Sequence, residues 1–414
     1  MADNTGSTFS YRHPMRSFSS VRVSAPRLKG GGFSPKVDRA SEVGDEQHAV
    51  RPLQEPAESR GYANEEAHEV GCLGGPVADH LVVMVNGIVG SASDWKFAVD
   101  QFQVKLGGKV IVHCSACNSA STTFNGIDVM GKRLADEVQE VVERTPGLRK
   151  ISFVAHSLGG LVARYAIACL YVPAKQNIKS TSKKSQSLET KSVHTMAGLE
   201  PINFITLATP HLGSRGHEQL PFLFGLRWLE KLATSIAHWF VGRTGKHLFL
   251  ADGDQGQLPL LQRMVTDCEE GMFMSALRLF KRRVAYANVV NDHMVGWRTS
   301  SLRRESQLPK VKCFPVDAKY PHIMQTDKVH PVTEESHASV QTPVRELDEL
   351  PAQDPLEEEL VTKLTQLPWE RVDVSFHGIS QRFIAHSTIQ VKNFSLHAEG
   401  VDVISHLIDN LEVS

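Results

Sequence analysis

A serine held between small residues is where chemistry first becomes legible in this chain. Residues 150–170 read KISFVAHSLGGLVARYAIACL. Ile151, Phe153 and Val154 form a short apolar run, and Ser157 stands just past its end. Leu161, Val162, Tyr165, Ala166 and Leu170 then recur at helical spacing. That pattern is strand, sharp turn and helix with a serine at the apex. Ala155-His156-Ser157-Leu158-Gly159 is the G-x-S-x-G nucleophile elbow with its first glycine changed to alanine. The turn is strained, so small residues must flank the serine two positions either side, and Ala155 and Gly159 qualify. The helix that begins there points its first amides at the site, where they can stabilise an oxyanion. The plainer alternative is a buried strand-turn-helix whose serine only caps the helix. The strand and helix context favours the nucleophile.

A nucleophilic serine needs a base to take its proton and an acid to hold that base in the right tautomer. Asp292 lies immediately beyond the apolar run 284–290 and is the expected acid. Asp252 and Asp254 are rivals, but they sit in a Gly-rich stretch with no strand before them. The chain offers 19 histidines. Those after Asp292 and near a strand end or the last helix are His377, His386, His397 and His406. His377 directly follows the alternating strand 371–376, so position alone favours it. Ile404, Leu407 and Ile408 define the buried face of the last helix, and His406 is expected to point away from them.

The blocks VVMVNGIVGSASDW, AHSLGG and FITLATPHLGS together resemble the lipase-like putative serine esterases of plants and fungi, a branch of the α/β-hydrolases. The resemblance runs from about residue 78 to the C-terminus and is weak in the inserts between these blocks. It implies an α/β fold with a mostly parallel sheet, helices on both faces and a lid-like insertion. It also implies the order serine, acid, histidine, each beyond a strand's C-terminal end. Asp292-x-x-Val followed by Ser300 resembles the family's acid loop. His386, in FIAHSTI, matches the family's Ala-His-x-x-Ile block and becomes the preferred base, with His377 next. By the same resemblance the oxyanion donors are the amides of Ile88 and Leu158. Asn86 stands where related esterases usually have histidine. His211, in the Thr-Pro-His-x-Gly block, precedes the acid in the chain and is expected to be structural. The implied reaction is hydrolysis of a carboxylic ester, with a lipid acyl ester as the expected substrate and no cofactor or metal. Acyl transfer to another alcohol uses the same residues. A hydrolase-fold protein that binds a ligand or partner with negligible turnover is the alternative from another class.

Elements must position these groups. Leu81–Val85 read as a strand buried on both faces, and 109–113 as the next. Met130, Leu134, Val138 and Val141 share one helical face, closed by Thr145-Pro146-Gly147. Residues 202–207, 284–290 and 371–376 supply further strands, and Val401 to Leu411 the closing helix. Residues 173–200 read as a Lys- and Ser-rich surface loop. An insertion at about 214–250 is rich in aromatic residues. Phe222, Phe224 and Trp228 are its candidate substrate contacts, either as a lid or acyl-pocket wall or as an ordinary packed helix. The Pro- and acid-rich stretch of about 301–365 reads as a long, mobile loop.

Composition narrows the remainder. With 414 residues, 41% hydrophobic and 22% charged, the chain is long enough for one large α/β domain with insertions or for two ordinary domains, and the resemblance implies a single one at 78–414. A net charge of −1 offers no electrostatic case for a nucleic-acid partner. Six cysteines in this length do not make a disulfide framework. Cys114 and Cys117 form a C-x-x-C without the helix start or the second ligand pair that redox or zinc chemistry needs. Residues 1–77 carry an Arg- and Ser-rich, acid-poor start followed by acids without apolar periodicity. They read as a disordered or transit-peptide-like extension, which makes a chloroplast or other organelle the expected location, with the cytoplasm as the alternative. Residues 151–172 approach membrane-spanning length, but His156, Ser157, paired glycines and Arg164 interrupt them. A soluble protein, at most peripheral to membranes, is expected; the oligomeric state stays open.

Overall fold

The computed structural model describes residues 78–174, 193–214, 242–253, 256–309, 317–329, 354–377 and 384–413. Its main sheet is built from β1 (His80–Val85), β2 (Val110–Cys114), β3 (Lys150–His156), β4 (Glu200–Leu207), β5 (Arg282–Asn288), β6 (Ile323–Val329) and β7 (Trp369–Val374). The order across the sheet is β6-β7-β5-β4-β3-β1-β2. Every pairing is parallel except that of β6 with β7. The helices that matter here are α1 (Lys96–Leu106), α2 (Ile127–Arg144), α3 (Leu158–Leu170), α4 (Phe273–Leu279), α5 (Pro355–Leu364), α6 (Ala385–Thr388) and α7 (Val401–Asp409).

Continuous apolar sequence in β1 follows from burial on both faces: all of His80–Val85 is buried. Alternate side chains then feed two cores. Leu81, Val83 and Val85, with Ile151 and Phe153, pack toward α2, α3, α4 and α5. Val82, Met84, Val154, Ile205 and Val284 pack on the other face toward α1 and α7. In α3 every residue but Cys169 is buried, as its nearly all-apolar sequence requires. In α2 only the stripe with Met130, Leu134 and Val138 is covered, and charged residues take the opposite side. A mostly parallel sheet with helices on both faces is the α/β-hydrolase architecture that the resemblance implied. Strand order reverses between β1 and β3. At such a reversal, outside the carboxyl ends of the strands, open α/β sheets hold their ligands.

Two parts of the sequence reading change. The stretch of about 301–365 is not one long loop, because its described parts contain β6 and α5. The acids of α5 hid its periodicity. Asp354 caps it by accepting from the Leu356 amide at 3.0 Å, Pro355 opens it, and Leu360, Val361 and Leu364 are buried. Glu357 is buried too, paired with Arg298. Within 173–200, Thr195–Met196 pairs antiparallel with Tyr171–Val172 just before that stretch. Residues 1–77 lie outside the described residues. So does most of the insertion at 214–250, including Phe222, Phe224 and Trp228.

Candidate active site

Ser157 follows β3 with φ 54° and ψ −129°. A residue with a Cβ is strained there by about 1–3 kcal/mol, so the surroundings must over-determine the turn. They do. The Ser157 amide donates to the Leu207 carbonyl on β4 at 2.8 Å, and Thr209 Oγ1 donates to the Ser157 carbonyl at 2.9 Å. Two glycines let the backbone close in. A Cβ on Gly87 would stand 2.9 Å from the Ser157 Cβ, and one on Gly159 would stand 2.6 Å from the carbonyl oxygens of Val85 and Asn86. The loop after β1 and the first turn of α3 therefore press together around the serine.

His386, on α6, brings Nε2 to 2.9 Å from Ser157 Oγ and Nδ1 to 3.0 Å from Asp292 Oδ2. A carboxylate only accepts, so the neutral ring carries its proton on Nδ1 and turns the Nε2 lone pair to the serine hydroxyl. Asp292 follows β5, as the sequence predicted. Its Oδ1 accepts from the amides of Met294 at 3.0 Å and Val295 at 2.9 Å, and its Oδ2 accepts from Asn288 Nδ2 at 2.8 Å. Burial raises the Asp292 pKa, but His386 beside it, with Asn288 and the Val295 amide, outweighs that and holds it below the ordinary value. Only 2% of the Asp292 side chain and 8% of the His386 side chain is exposed. These hydrogen bonds thus lie where water competes little. A serine, a base oriented toward it and an ionised acid behind the base can together carry nucleophilic acyl chemistry.

Ile88 lies in the turn closed by the Gly90 amide on the Gly87 carbonyl at 3.1 Å. Asn86 anchors this turn through Nδ2, which donates to the carbonyls of Gly87 at 3.1 Å and Asn118 at 3.0 Å. Leu158 is the first residue of α3, directly after the serine.

The other candidates lie elsewhere. His377 is exposed past the end of β7. His397 accepts from the Asn393 amide at 3.0 Å within its own short helix. His406 was expected to point away from the buried face of α7, yet it is buried, with Nδ1 2.9 Å from the Tyr286 hydroxyl and its ring edge-on to Tyr320. A polar partner in the core made room for it. His211 meets Thr206 Oγ1 at 3.0 Å and the Trp369 ring. Asp252 accepts from the Leu260 amide at 2.8 Å, and Asp254 lies outside the described residues. Cys114 and Cys117 are free thiols, pushed up by burial to about 11 and about 12. Neither is therefore a thiolate near neutral pH. Among the described residues no group of three or more metal-ligating side chains is gathered to hold an ion, and no helix is long and apolar enough to cross a membrane.

Sequence reasoning passed over His156 and Asn288, both buried. His156 Nε2 lies 2.7 Å from the His386 carbonyl oxygen, and Asn288 Nδ2 reaches Asp292. The signals were present. An apolar strand ends in a histidine inside the elbow, and another ends in an asparagine four residues before the acid.

The model of the family described as "Putative serine esterase (DUF676)" matches residues 76–303, which include Ser157 and Asp292. The chain is 31% identical over 228 residues to "Putative lipase YDL109C" of Saccharomyces cerevisiae, covering 54% of this chain and 30% of that protein. It is 31% identical over 233 residues to "Putative lipase ROG1" of the same yeast, covering 54% of this chain and 28% of that protein. "Putative lipase C4A8.10" of Schizosaccharomyces pombe is 27% identical over 272 residues, 64% of this chain and 31% of that protein. The chain thus spans only 28–31% of the length of these relatives. Among solved structures, the Bacillus licheniformis lipase BlEst2 aligns at a TM-score of 0.32 and 18% identity, over 52% of this chain and 71% of that one.

Proposed function

The chain belongs to the family described as "Putative serine esterase (DUF676)", and on that premise we propose that it hydrolyses carboxylic esters, lipid acyl esters in particular, through Ser157, His386 and Asp292. The observation that carries the reading is His386, whose Nε2 stands 2.9 Å from Ser157 Oγ while its Nδ1 stands 3.0 Å from Asp292 Oδ2. Ser157 Oγ attacks the ester carbonyl carbon as its proton passes to His386 Nε2. The carbonyl oxygen becomes an oxyanion, stabilised by the amides of Ile88 and Leu158. Asp292, ionised, supports the imidazolium that forms. Collapse of the tetrahedral intermediate expels the alcohol, which takes its proton from His386 Nε2 and leaves an acyl-serine. Water then enters by the same path in reverse, and the carboxylic acid departs.

The lipid class is supported by the similarity to the yeast proteins named "Putative lipase YDL109C" and "Putative lipase ROG1". The test is a series of nitrophenyl esters from acetate to palmitate, hydrolysed by the parent and by Ser157→Ala. The parent should turn these esters over, with higher kcat/KM as the acyl chain lengthens, and the variant should not. A parent that prefers acetate keeps the esterase but removes the lipid class, and a fully active variant removes the nucleophile.

A further inference from the structure

His386 rides on a helix of four residues, Ala385–Thr388. So short a helix has no stability of its own in water, so its direction must be imposed from outside. Two side chains grip the main chain that carries the imidazole. His156, the last residue of β3 and the neighbour of Ser157, brings Nε2 to 2.7 Å from the His386 carbonyl oxygen. A carbonyl only accepts, so His156 donates. Burial pushes its pKa well below 6.5, and the neutral ring then holds its proton on Nε2. Asn288, the last residue of β5, directs Nδ2 to Asp292 Oδ2 at 2.8 Å and to the Ala385 carbonyl at 3.3 Å. Two successive carbonyls, one before and one after the His386 Cα, are thereby tied to the strands that carry Ser157 and Asp292.

We infer that His156 and Asn288 are positioning residues for the hydrolysis. By holding the two carbonyls that flank the His386 Cα, they keep its Nε2 on Ser157 Oγ while its Nδ1 stays on Asp292. This rests on the reading of Ser157, His386 and Asp292 as the reacting groups. His156 holds the backbone of the base and also packs its ring against the His386 imidazole, 4.8 Å between centroids, while Asn288 holds that backbone and the carboxylate together. A side chain of equal volume fills the same space, but only a donor fixes direction. A displacement of about 1 Å at such a site costs on the order of 10²-fold in rate.

The experiment uses the full chain with His156→Gln, His156→Phe or Asn288→Ala. It measures kcat and KM on nitrophenyl butyrate per active site, with sites counted by saturating fluorophosphonate labelling, alongside a thermal melt. Glutamine keeps a donor near the place of Nε2, and phenylalanine keeps a ring without one. His156→Gln should stay within about threefold of the parent kcat. His156→Phe should fall by about 10- to 100-fold in kcat with KM changed by less than about threefold, and its labelling rate constant should fall in parallel. Asn288→Ala should lose about tenfold or more in kcat per site. A purely structural role would lower the melting temperature and the number of labelled sites while leaving kcat per site unchanged, and that result overturns the inference. Equal kcat per site in the Gln and Phe variants overturns the part played by His156. If His156→Phe does not fold, Asn288→Ala decides by the same readout. Full activity in Ser157→Ala is a separate outcome, and it defeats the nucleophile assignment on which the inference stands.

Discussion

Nε2 of His386 lies 2.9 Å from Oγ of Ser157, although 229 residues of chain separate them. No local preference joins them. The parallel sheet does so, by delivering the carboxyl ends of β3 and β5 to the same edge and leaving α6 to be drawn in above them. Substitution of His386 by alanine should therefore cost on the order of 10⁴-fold in kcat, about as much as loss of the serine, because residues acting as a unit are not additive. His377→Ala, at an exposed position, should stay within about threefold of the parent. Steady-state ester hydrolysis by the two purified variants decides between them. An inactive His377→Ala would transfer the base to that residue.

Gly159 tests the close approach beneath the serine. Its added Cβ would meet two backbone oxygens at 2.6 Å, and neither can swing aside as a flexible side chain would. Gly159→Ala should lose about 1–3 kcal/mol of stability, on the scale of overpacked cores, together with activity. Gly108, around which nothing lies within 4 Å, is the control. Thermal melts should separate the two, and matching melts would show that the packing around the elbow is looser than described.

Arg303 and Asp373 form an ion pair with side chains only 1% and 0% exposed, at 2.6 Å, and Trp297 Nε1 donates to the same carboxylate oxygen at 2.7 Å. Arg303→Leu should cost about 3–5 kcal/mol, because it leaves a buried carboxylate without its counter-charge. Arg303→Leu combined with Asp373→Leu should recover most of that loss. Denaturant titration of the single and double variants provides the measurement. A double variant no more stable than the single one would contradict it.

Acid should destabilise this fold earlier than carboxylate titration alone would. Burial first, and then Lys150, lowers the His80 pKa from 6.5 to about 4. Below pH 6.5 the unfolded chain takes up a proton at His80 that the folded chain refuses until about pH 4. Stability contributed by the neutral ring is therefore complete above pH 6.5 and lost as the pH falls toward 4, about 3 kcal/mol in all. His156 and His211, held well below their ordinary value by burial, act with the same sign. Melting temperatures from pH 7.5 to 4.5 should fall steeply in the parent and less steeply in His80→Gln. A flat profile in the parent would rule out this linkage.

The sequence showed the sheet where burial imposes continuous apolar runs, as in Leu81–Val85 and Ile151–Ala155. It pointed to Ser157 because the elbow demands small neighbours, and to Asp292 because that residue lies just beyond the apolar run 284–290. His386 was harder to find. Position in the chain points to His377, and only the resemblance singled out the residue that the structure sets against Ser157. The chain runs past the end of β7 before returning on α6, and no periodicity records that return. His406 misled because three apolar neighbours define a helical face without revealing that Tyr286 waits opposite with a hydroxyl. α5 was hidden by Glu357, Glu358 and Glu359, of which Glu357 is buried against Arg298. A charge that looks solvated in sequence can be a buried partner when its counter-ion comes from a distant segment.

Trapping the covalent adduct shows whether Ser157 is the attacking nucleophile. The full chain is treated with a fluorophosphonate, digested, and the modified residue located by mass spectrometry while ester hydrolysis is followed in parallel. One adduct is expected, on Ser157, with hydrolysis lost in proportion to labelling, and with neither labelling nor turnover in Ser157→Ala. An adduct on another residue, or hydrolysis that survives complete modification of Ser157, would contradict it.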